Sequence, residues 1–344
     1  MARDTLVSLD IGNGYVKARG PNGGWSSFPS VLATLNENMD GFDFPLGSNE
    51  KFVIGYRGLK YAVGDTVHFE GLTPVTIAHR SRIQTEFYRV LFAAALSEVV
   101  PDNADVHVVV SLPPAAYWDK DAQKAVISGL YEVQKVTRGG SIRTFQYDVN
   151  AQNVRVIPEG VGSICTMALT EDGKEQTNSF LAKTPVGVVD VGTYTTDLIH
   201  LDSLRIVRSG CDTMTTALHD IHERLRSYVS SNGVDLSTAR ADTVLHDGFF
   251  LKGGKRVSIA SELDVWFSEL SQAISAQIRT TWNGGNDVES IIVTGGGAPW
   301  VEKILAMEFP HVRMIKGVQP FFANCEGGYR YGLLRERAEK VRGR

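Results

Sequence analysis

Residues 7–12 read Val-Ser-Leu-Asp-Ile-Gly, and residues 187–192 read Gly-Val-Val-Asp-Val-Gly. Each stretch is an apolar strand that ends in an aspartate, a β-branched residue and a glycine, and a second strand follows a short turn. Asp10 and Asp190 are separated by about half of the 344-residue chain. One such match is often a plain turn, but the repetition predicts two similar domains that face each other across a cleft.

Strands alternate with helical patterns along the rest of the chain, which predicts an α/β architecture. Helices are predicted over residues 83–99, 160–169, 213–229 and 260–282. Ser261 is the predicted N-cap of the last of these helices.

A third glycine motif, Gly295-Gly296-Gly297, follows a predicted strand and precedes a helix that begins near Pro299. Three glycines let a flat ligand approach the backbone closely. The motif is therefore either a site for a nucleotide base or sugar, or a bare strand-to-helix turn.

The composition excludes several classes of protein. Hydrophobic residues make up 43% and charged residues 22%, which is ordinary for a globular protein and excludes a disordered, collagen-like or coiled-coil chain. The net charge of −4 argues against direct nucleic-acid binding. The three cysteines form no CxxC pair, which fits a reducing compartment. No apolar run approaches the roughly 20 residues that span a bilayer, so we expect a soluble, cytoplasmic protein without membrane contact.

The two hairpin turns have the composition of phosphate-binding turns, because small residues let backbone N–H groups point at an anion. The candidate residues are Gly12, Asn13 and Gly14 in the first turn and Gly192, Thr193, Tyr194 and Thr195 in the second. Lys17, on the returning strand, could neutralise a phosphate oxygen. Asp10 and Asp190 offer the oxygen ligands that Mg²⁺ prefers.

Glu159 follows a short strand and precedes a predicted helix. An acid at such a junction can orient or deprotonate an attacking water. The alternative is a first-turn glutamate that only favours the helix dipole.

Taken together, these motifs resemble those of the actin-like ATPase superfamily, which includes actin, sugar kinases and the large heat-shock chaperones. The matching segments are Asp10-Ile11-Gly12-Asn13-Gly14-Tyr15-Val16-Lys17, Asp190-Val191-Gly192-Thr193-Tyr194-Thr195-Thr196-Asp197 and Val293-Thr294-Gly295-Gly296-Gly297-Ala298. Within the superfamily the chain is most similar to ParM-type plasmid-segregation actins and their archaeal relatives. That similarity is carried by Phe28-Pro29-Ser30-Val31, Pro158-Glu159-Gly160 and the closing Ala323-Asn324-Cys325-Glu326-Gly327.

The resemblance implies an actin-like (ribonuclease-H-like) fold, with two similar domains flanking a nucleotide cleft. Domain I would cover residues 1–160 and 320–344, with a small β-rich insertion within residues 20–80. Domain II would cover residues 161–319.

The resemblance also implies an ATPase with bound ATP or ADP and Mg²⁺, and GTP is an alternative nucleotide. Asp10 and Asp190 would hold Mg²⁺ through water, Lys17 would contact the phosphates, and Glu159 would position the hydrolytic water. The further cofactor contacts implied are Tyr15 in the first motif, the cleft acid Asp212, and Glu223 and Arg224 beside the ribose and base. Thr193 departs from the glycine of many relatives, and Tyr194 adds bulk beside it.

The expected function is a nucleotide-dependent filament of identical subunits that moves or segregates plasmid DNA. A DNA-binding adaptor protein would connect the filament to its cargo, without direct nucleic-acid contact and without a small-molecule phosphoryl acceptor. The alternative is a small-molecule kinase of the same superfamily, although such kinases are commonly longer. A third hypothesis is a chaperone or reactivating factor, which normally carries a further peptide-binding domain.

Overall fold

The first repeated stretch forms a central strand of a large mixed sheet. The structure, a computed structural model, describes residues 3–35, 52–76, 83–136, 141–176, 181 and 183–342. The chain divides into two compact units, Met1–Ser179 with Asn324–Arg344, and Phe180–Ala323.

The sheet of the first unit has ten strands in the order β3-β2-β1-β7-β9-β8-β5-β6-β4, with β10 also paired to β7. The strands are β1 (Arg3–Ile11), β2 (Tyr15–Arg19), β3 (Trp25–Pro29), β4 (Leu32–Leu35), β5 (Val53–Tyr56), β6 (Leu59–Val63), β7 (Ala104–Leu112), β8 (Gly129–Val136), β9 (Ile142–Val149) and β10 (Val154–Pro158). Because β1, β7 and β10 are parallel neighbours, their carboxyl ends lie along one edge of the sheet.

Helices of the first unit cover this sheet. They are α1 (Asp65–Phe69), α2 (Glu86–Val99), α3 (Lys120–Ile127) and α4 (Val161–Ala168). Helix α2 begins after Thr85, whose side-chain oxygen accepts a hydrogen bond from the Tyr88 N–H. Its central residues are almost wholly buried, and they form one apolar core with the inner faces of β1 and β7.

The second unit repeats the plan with a smaller sheet, in the order β13-β12-β11-β17-β18 with β14 on β12. Its strands are β11 (Pro185–Val191), β12 (Thr196–Asp202), β13 (Arg205–Ile206), β14 (Asp212–Met214), the separate pair β15 (Phe249–Lys252) and β16 (Lys255–Ser258), β17 (Ser290–Thr294) and β18 (Val312–Arg313). Its helices are α5 (Leu218–Ser231), α6 (Thr238–Asp247), α7 (Ala260–Thr281) and α8 (Ala298–Glu308). The last helix, α9 (Ala323–Arg342), belongs to the first unit from Asn324 onward.

The two hairpins are equivalent in register and in turn geometry. Asp10 lies opposite Lys17 across β1 and β2, and Asp190 lies opposite Asp197 across β11 and β12. The Gly12 N–H donates to the carbonyl of Tyr15 at 2.9 Å. The corresponding bond in the second hairpin, from the Gly192 N–H to the carbonyl of Thr195, is also 2.9 Å. The strand-turn-strand repeat predicted from the sequence is therefore confirmed.

Two details of the predicted helices are wrong. The helix predicted over residues 213–229 begins at Leu218, because residues 212–214 pair with β12 instead. Ser261 is not an N-cap, because α7 begins at Ala260 and its capping position is Ile259.

The division into units also differs from the predicted boundary at residue 160, because α4 stays with the first unit. A Cβ atom on Gly162 would lie 2.2 Å from the backbone oxygen of Asn324, so α4 packs directly against α9. The predicted insertion within residues 20–80 is, where described, an extension of the main sheet through β4, β5 and β6. Its residues 36–51 and 77–80 lie outside the described residues. Within the described ranges, no helix combines the length and apolar character that a membrane crossing requires.

Candidate functional site

Asp10 lies at the carboxyl edge of the first sheet and is almost wholly buried, with 4% of its surface exposed. Lys17 donates from Nζ to Asp10 Oδ2 at 3.0 Å. Ser111, at the end of β7, donates from Oγ to Asp10 Oδ1 at 3.3 Å. The lysine and the hydroxyl compensate the carboxylate for its lost hydration and hold it in place at the sheet edge.

Ser30 fixes the first turn through two hydrogen bonds. Its hydroxyl donates to the carbonyl of Gly12 at 2.6 Å, and its backbone N–H donates to the carbonyl of Gly14 at 2.8 Å. Asn13, between these glycines, has a buried Oδ1 without a hydrogen-bond partner among the described residues. Because buried amide atoms are normally paired, this arrangement fits a polar ligand at the turn.

Glu159 lies at the same edge of the first sheet. It follows β10 directly, and its backbone N–H donates to the carbonyl of Leu112 at the end of β7, at 2.7 Å. Gly160 then turns the chain with a φ of +82°, a conformation that favours glycine. The parallel arrangement of β1, β7 and β10 thus brings Asp10, Ser111 and Glu159 to one edge.

Helix α9 fixes the amino terminus of α4, immediately after Glu159. Asn324 Oδ1 accepts hydrogen bonds from the Gly160 N–H at 3.0 Å, the Ser163 N–H at 3.2 Å and the Ser163 hydroxyl at 3.1 Å. These donors include N–H groups that have no partner within a helix. Asn324 therefore caps α4 from a position more than 160 residues later in the chain.

Helix α9 fixes the carboxyl terminus of α4 as well. Arg330 donates from Nη1 to the carbonyls of Thr166 and Leu169, at 2.9 and 2.8 Å, which satisfies terminal carbonyl groups of the helix. Glu326 accepts from Arg330 Nε at 2.8 Å and from Arg19 Nε on β2 at 3.0 Å. The last helix thereby holds both ends of α4 and the first hairpin as one body.

We expect Asn324→Ala to lower the free energy of unfolding of the first unit by about 1–3 kcal/mol, because it leaves buried donors unpaired. Asn324→Asp keeps an acceptor oxygen at a helix amino terminus, where a negative charge is favourable, so its loss should be smaller. Urea denaturation of the full chain measures both values. Equal stability of Asn324→Ala and wild type would contradict the capping role.

The second turn rests on the start of α5. The carbonyl of Thr193 accepts from the His219 N–H at 2.7 Å, and the carbonyl of Gly192 accepts from the Leu218 N–H at 3.3 Å. The ring of Tyr194 packs beside the imidazole of His219, with 4.9 Å between centroids. The bulk of Tyr194 is thus accommodated against the helix.

Asp197 is the buried carboxylate of the second hairpin, at the position that Lys17 occupies in the first. Thr195 Oγ1 donates to its Oδ2 at 2.9 Å, and Thr213 Oγ1 donates to its Oδ1 at 2.6 Å. Burial raises the pKa of the Asp197 carboxyl, the two threonine hydroxyls oppose this effect, and the charge of Asp212 adds to it. This acid of the second motif is a buried carboxylate that lies opposite Asp190 across the hairpin.

A raised pKa of Asp197 in the folded state predicts that its contribution to stability is fully present below the unfolded value of about 3.9 and is lost as pH rises through the folded pKa. Asp197→Asn removes this loss, so the variant should be more stable than wild type near pH 7. The difference should shrink as pH falls towards about 4. Thermal unfolding of both proteins over this range measures the effect, and a less stable variant at pH 7 would contradict it.

Gly295 joins the third glycine motif to the second hairpin. Its φ is +87°, and a Cβ atom there would lie 2.4 Å from Asp190 Oδ1 and 2.5 Å from the carbonyl oxygen of Val191. The Gly297 N–H donates to that same Val191 carbonyl at 2.9 Å. Gly296 has more room, since its nearest neighbour is Leu218 Cδ1 at 3.4 Å. The glycines thus bring the backbone against the Asp190 carboxylate.

The remaining predicted contacts lie farther from the turns of the second unit. Asp212 lies on β14, where the Gln277 side chain donates to it. Glu223 and Arg224 lie on α5 beyond its first turn, and both form ion pairs, with Arg226 and Glu269 respectively.

The structure therefore groups the predicted site residues into one set in each unit. The first set is Asp10, Gly12, Asn13, Gly14, Tyr15, Lys17 and Glu159. The second is Asp190, Gly192, Thr193, Tyr194, Thr195 and Gly295–Gly297. The sequence motifs do not assign a role to Ser111, Asp197 or Asn324. The sequence did contain a signal for Asp197, because it follows Asp190 by seven residues, as Lys17 follows Asp10.

Two family models match the chain in succession. The model of the N-terminal domain of actin-like proteins matches residues 8–162. The model of the C-terminal domain of the archaeal actin homologue, MreB-like, matches residues 188–307. No curated protein sequence matches the chain.

Solved structures with similar folds align over nearly the whole chain. Ta0583, an archaeal actin homologue, is 22% identical with a TM-score of 0.76, and the alignment covers 98% of this chain and 99% of that one. The subunit of a 15-stranded ParM filament from Clostridium botulinum is 20% identical with a TM-score of 0.73, covering 96% and 99%. The actin-like protein Alp7A is 13% identical with a TM-score of 0.75, covering 99% of each chain. These likenesses show the actin-like fold. The two matched models identify an actin-like N-terminal domain followed by an archaeal MreB-like C-terminal domain.

Proposed function

We propose that this protein is a cytoplasmic, filament-forming NTPase that binds ATP, or GTP, with Mg²⁺ and polymerises in the nucleotide-bound state. Hydrolysis then destabilises the filament. The filament moves or segregates plasmid DNA through an adaptor protein. The single observation that carries the proposal is the matched pair of hairpins, each with a glycine turn and an aspartate at the strand end.

Each hairpin suits the phosphates of a nucleotide. Their glycine turns offer backbone N–H groups, and the buried, unpaired amide oxygen of Asn13 supports a polar ligand at the first turn. The side-chain amide can be turned so that its N–H₂ donates to a phosphate, because its two ends have nearly the same shape. Lys17 forms an ion pair with Asp10 and can shift from that carboxylate to a phosphate oxygen.

Asp10 and Asp190 lie at equivalent strand ends of their own units, and each offers the oxygen ligands that Mg²⁺ prefers. When bound, Mg²⁺ neutralises the charge that develops on the phosphates. Asp197 adds a buried carboxylate next to Asp190. Burial of a carboxylate is unfavourable, and a bound cation would offset that cost.

In this proposal Glu159 would position the hydrolytic water. It is half-buried at the edge where Asp10 lies, and α9 holds the helix that follows it. A carboxylate in such a position aligns a water for in-line attack and accepts its proton. Catalysis of phosphoryl transfer depends mostly on positioning and charge stabilisation, so the rigid attachment of α4 to α9 matters for the rate.

Gly295–Gly297 would lie against the sugar or base of the nucleotide. Glu223 and Arg224 are exposed on α5, and both would have to leave their present ion pairs to reach a ribose or base. Asp212 would have to exchange its contact with Gln277 in the same way. The nucleotide part of this proposal is supported by the complex of the similar protein Ta0583 with ADP, and the filament part by the ParM filament.

Equilibrium binding of fluorescent ATP and GTP analogues, with Mg²⁺ or with EDTA, tests the nucleotide site. We expect saturable binding that Mg²⁺ strengthens. Asp190→Asn should weaken nucleotide binding in the presence of Mg²⁺ at least tenfold. The control variant Asp235→Asn changes an exposed loop residue and should bind nucleotide like wild type. Absence of saturable binding of either nucleotide by the folded protein would overturn the proposal.

A further inference from the structure

A second polar cluster lies at the opposite end of β1 and β7 from the hairpin turn. Asp4 is paired with Asp105 in the parallel register of these strands, and His107 lies two residues further on β7. Because side chains alternate along a strand, all three project from the same face of the sheet. Each offers one ligand atom, an imidazole nitrogen or a carboxylate oxygen, and these atoms all lie within 4.8 Å of one another.

His107 and Asp105 each contact a neighbouring side chain through one atom, which leaves a second atom that can bind a metal ion. His107 Nδ1 lies 3.4 Å from Glu336 Oε1 on α9, which leaves Nε2 as the second ring nitrogen. Asn153 donates from Nδ2 to Asp105 Oδ1 at 3.2 Å, which leaves Oδ2. Carboxylates and amides that orient histidine and aspartate in this way are typical partners of metal ligands.

The cluster carries an excess of negative charge. Across the described residues, no lysine or arginine forms an ion pair with Asp4, Asp105 or Glu336, and His107 is the one basic group among these carboxylates. The position therefore has a negative potential that attracts a cation.

We propose that Asp4, Asp105 and His107 form a binding site for a divalent first-row transition metal such as Zn²⁺. One imidazole with two carboxylates suits these metals, whereas Mg²⁺ and Ca²⁺ prefer oxygen ligands alone. Metal–ligand bonds of about 2.1 Å place the ligand atoms roughly 3 to 3.5 Å from one another. The three side chains must therefore move slightly closer together when a metal ion binds. Asp4 is exposed near the start of β1 and can make that movement. The site is separate from the hairpin edge and does not depend on the proposed NTPase function.

Isothermal titration of the full chain with Zn²⁺, in the absence of nucleotide, tests the site. We expect one strongly bound ion per chain, and a tenfold excess of Mg²⁺ should not displace it. His107→Ala and Asp4→Asn should each weaken binding at least tenfold. The matched control is His222→Ala, because His222 also pairs with one carboxylate, Asp242 at 3.3 Å, but belongs to no such cluster among the described residues.

The absorption spectrum of the protein loaded with Co²⁺ gives a second readout. We expect ligand-field bands without thiolate charge transfer in wild type, and their loss in Asp4→Asn, which changes one exposed side chain and should leave folding intact. Lack of stoichiometric Zn²⁺ binding, or unchanged affinity in both His107→Ala and Asp4→Asn, would overturn the proposal. The cluster would then be an ion pair that fastens α9 to the sheet.

Discussion

Replacing Glu159 by glutamine should lower the rate of nucleotide hydrolysis by about two to four orders of magnitude, with little change in nucleotide affinity. The amide keeps the shape of the side chain but cannot accept a proton from water. Glu159 follows β10 at the edge that carries Asp10, and Asn324 and Arg330 fix the helix behind it. Phosphate release from a saturated complex measures the rate.

Glu132→Gln is the matched control, because Glu132 is exposed on β8 in the same unit. It should hydrolyse nucleotide at the wild-type rate. If Glu159→Gln retained the wild-type rate while binding nucleotide normally, Glu159 would be only an acid that precedes the capping residue of α4 and favours the helix dipole.

Replacing Gly295 by alanine should abolish nucleotide binding or unfold the second unit. A methyl group would meet Asp190 Oδ1 at 2.4 Å and the Val191 carbonyl oxygen at 2.5 Å, and a φ of +87° is strained for alanine. The chain must move the Asp190 carboxylate or its own backbone to relieve these contacts.

Gly296→Ala provides the control within the same motif, since its Cβ would have only ordinary contacts at 3.4 and 3.6 Å. Thermal unfolding and nucleotide titration should therefore show a severe defect for Gly295→Ala and a mild one for Gly296→Ala. Equal behaviour of the two variants would contradict the close approach of the third glycine motif to Asp190.

The sequence predicted the repeated hairpins because their strands, aspartates and glycines are local signals. Strand β2 follows the first turn and strand β17 precedes the third glycine motif, as predicted, and the equivalent turns follow from the matched glycines. The start of α5 was misplaced because Met214 fits the apolar spacing of a helix, yet the chain around it pairs with β12. Tertiary pairing there overrides a local pattern.

The supports of the site were harder to predict because they join distant parts of the chain. Asn324 reaches Gly160, and Ser111 reaches Asp10 over about a hundred residues. The spacing of residues along the sequence does not indicate contacts between such distant positions. The boundary of the first unit was misplaced for the same reason, since only the packing of Gly162 against Asn324 shows that α4 stays with α9.

Assembly of the purified protein most directly tests whether it forms nucleotide-dependent filaments. Light scattering and sedimentation measure assembly after addition of Mg-ATP, Mg-GTP or a slowly hydrolysed analogue. We expect a sharp critical concentration, a rise and decay of the signal for wild type, and a persistent signal for Glu159→Ala. One of the two nucleotides should support assembly. No assembly at tens of micromolar protein, while nucleotide is still bound and hydrolysed, would contradict a filament whose lifetime is set by hydrolysis.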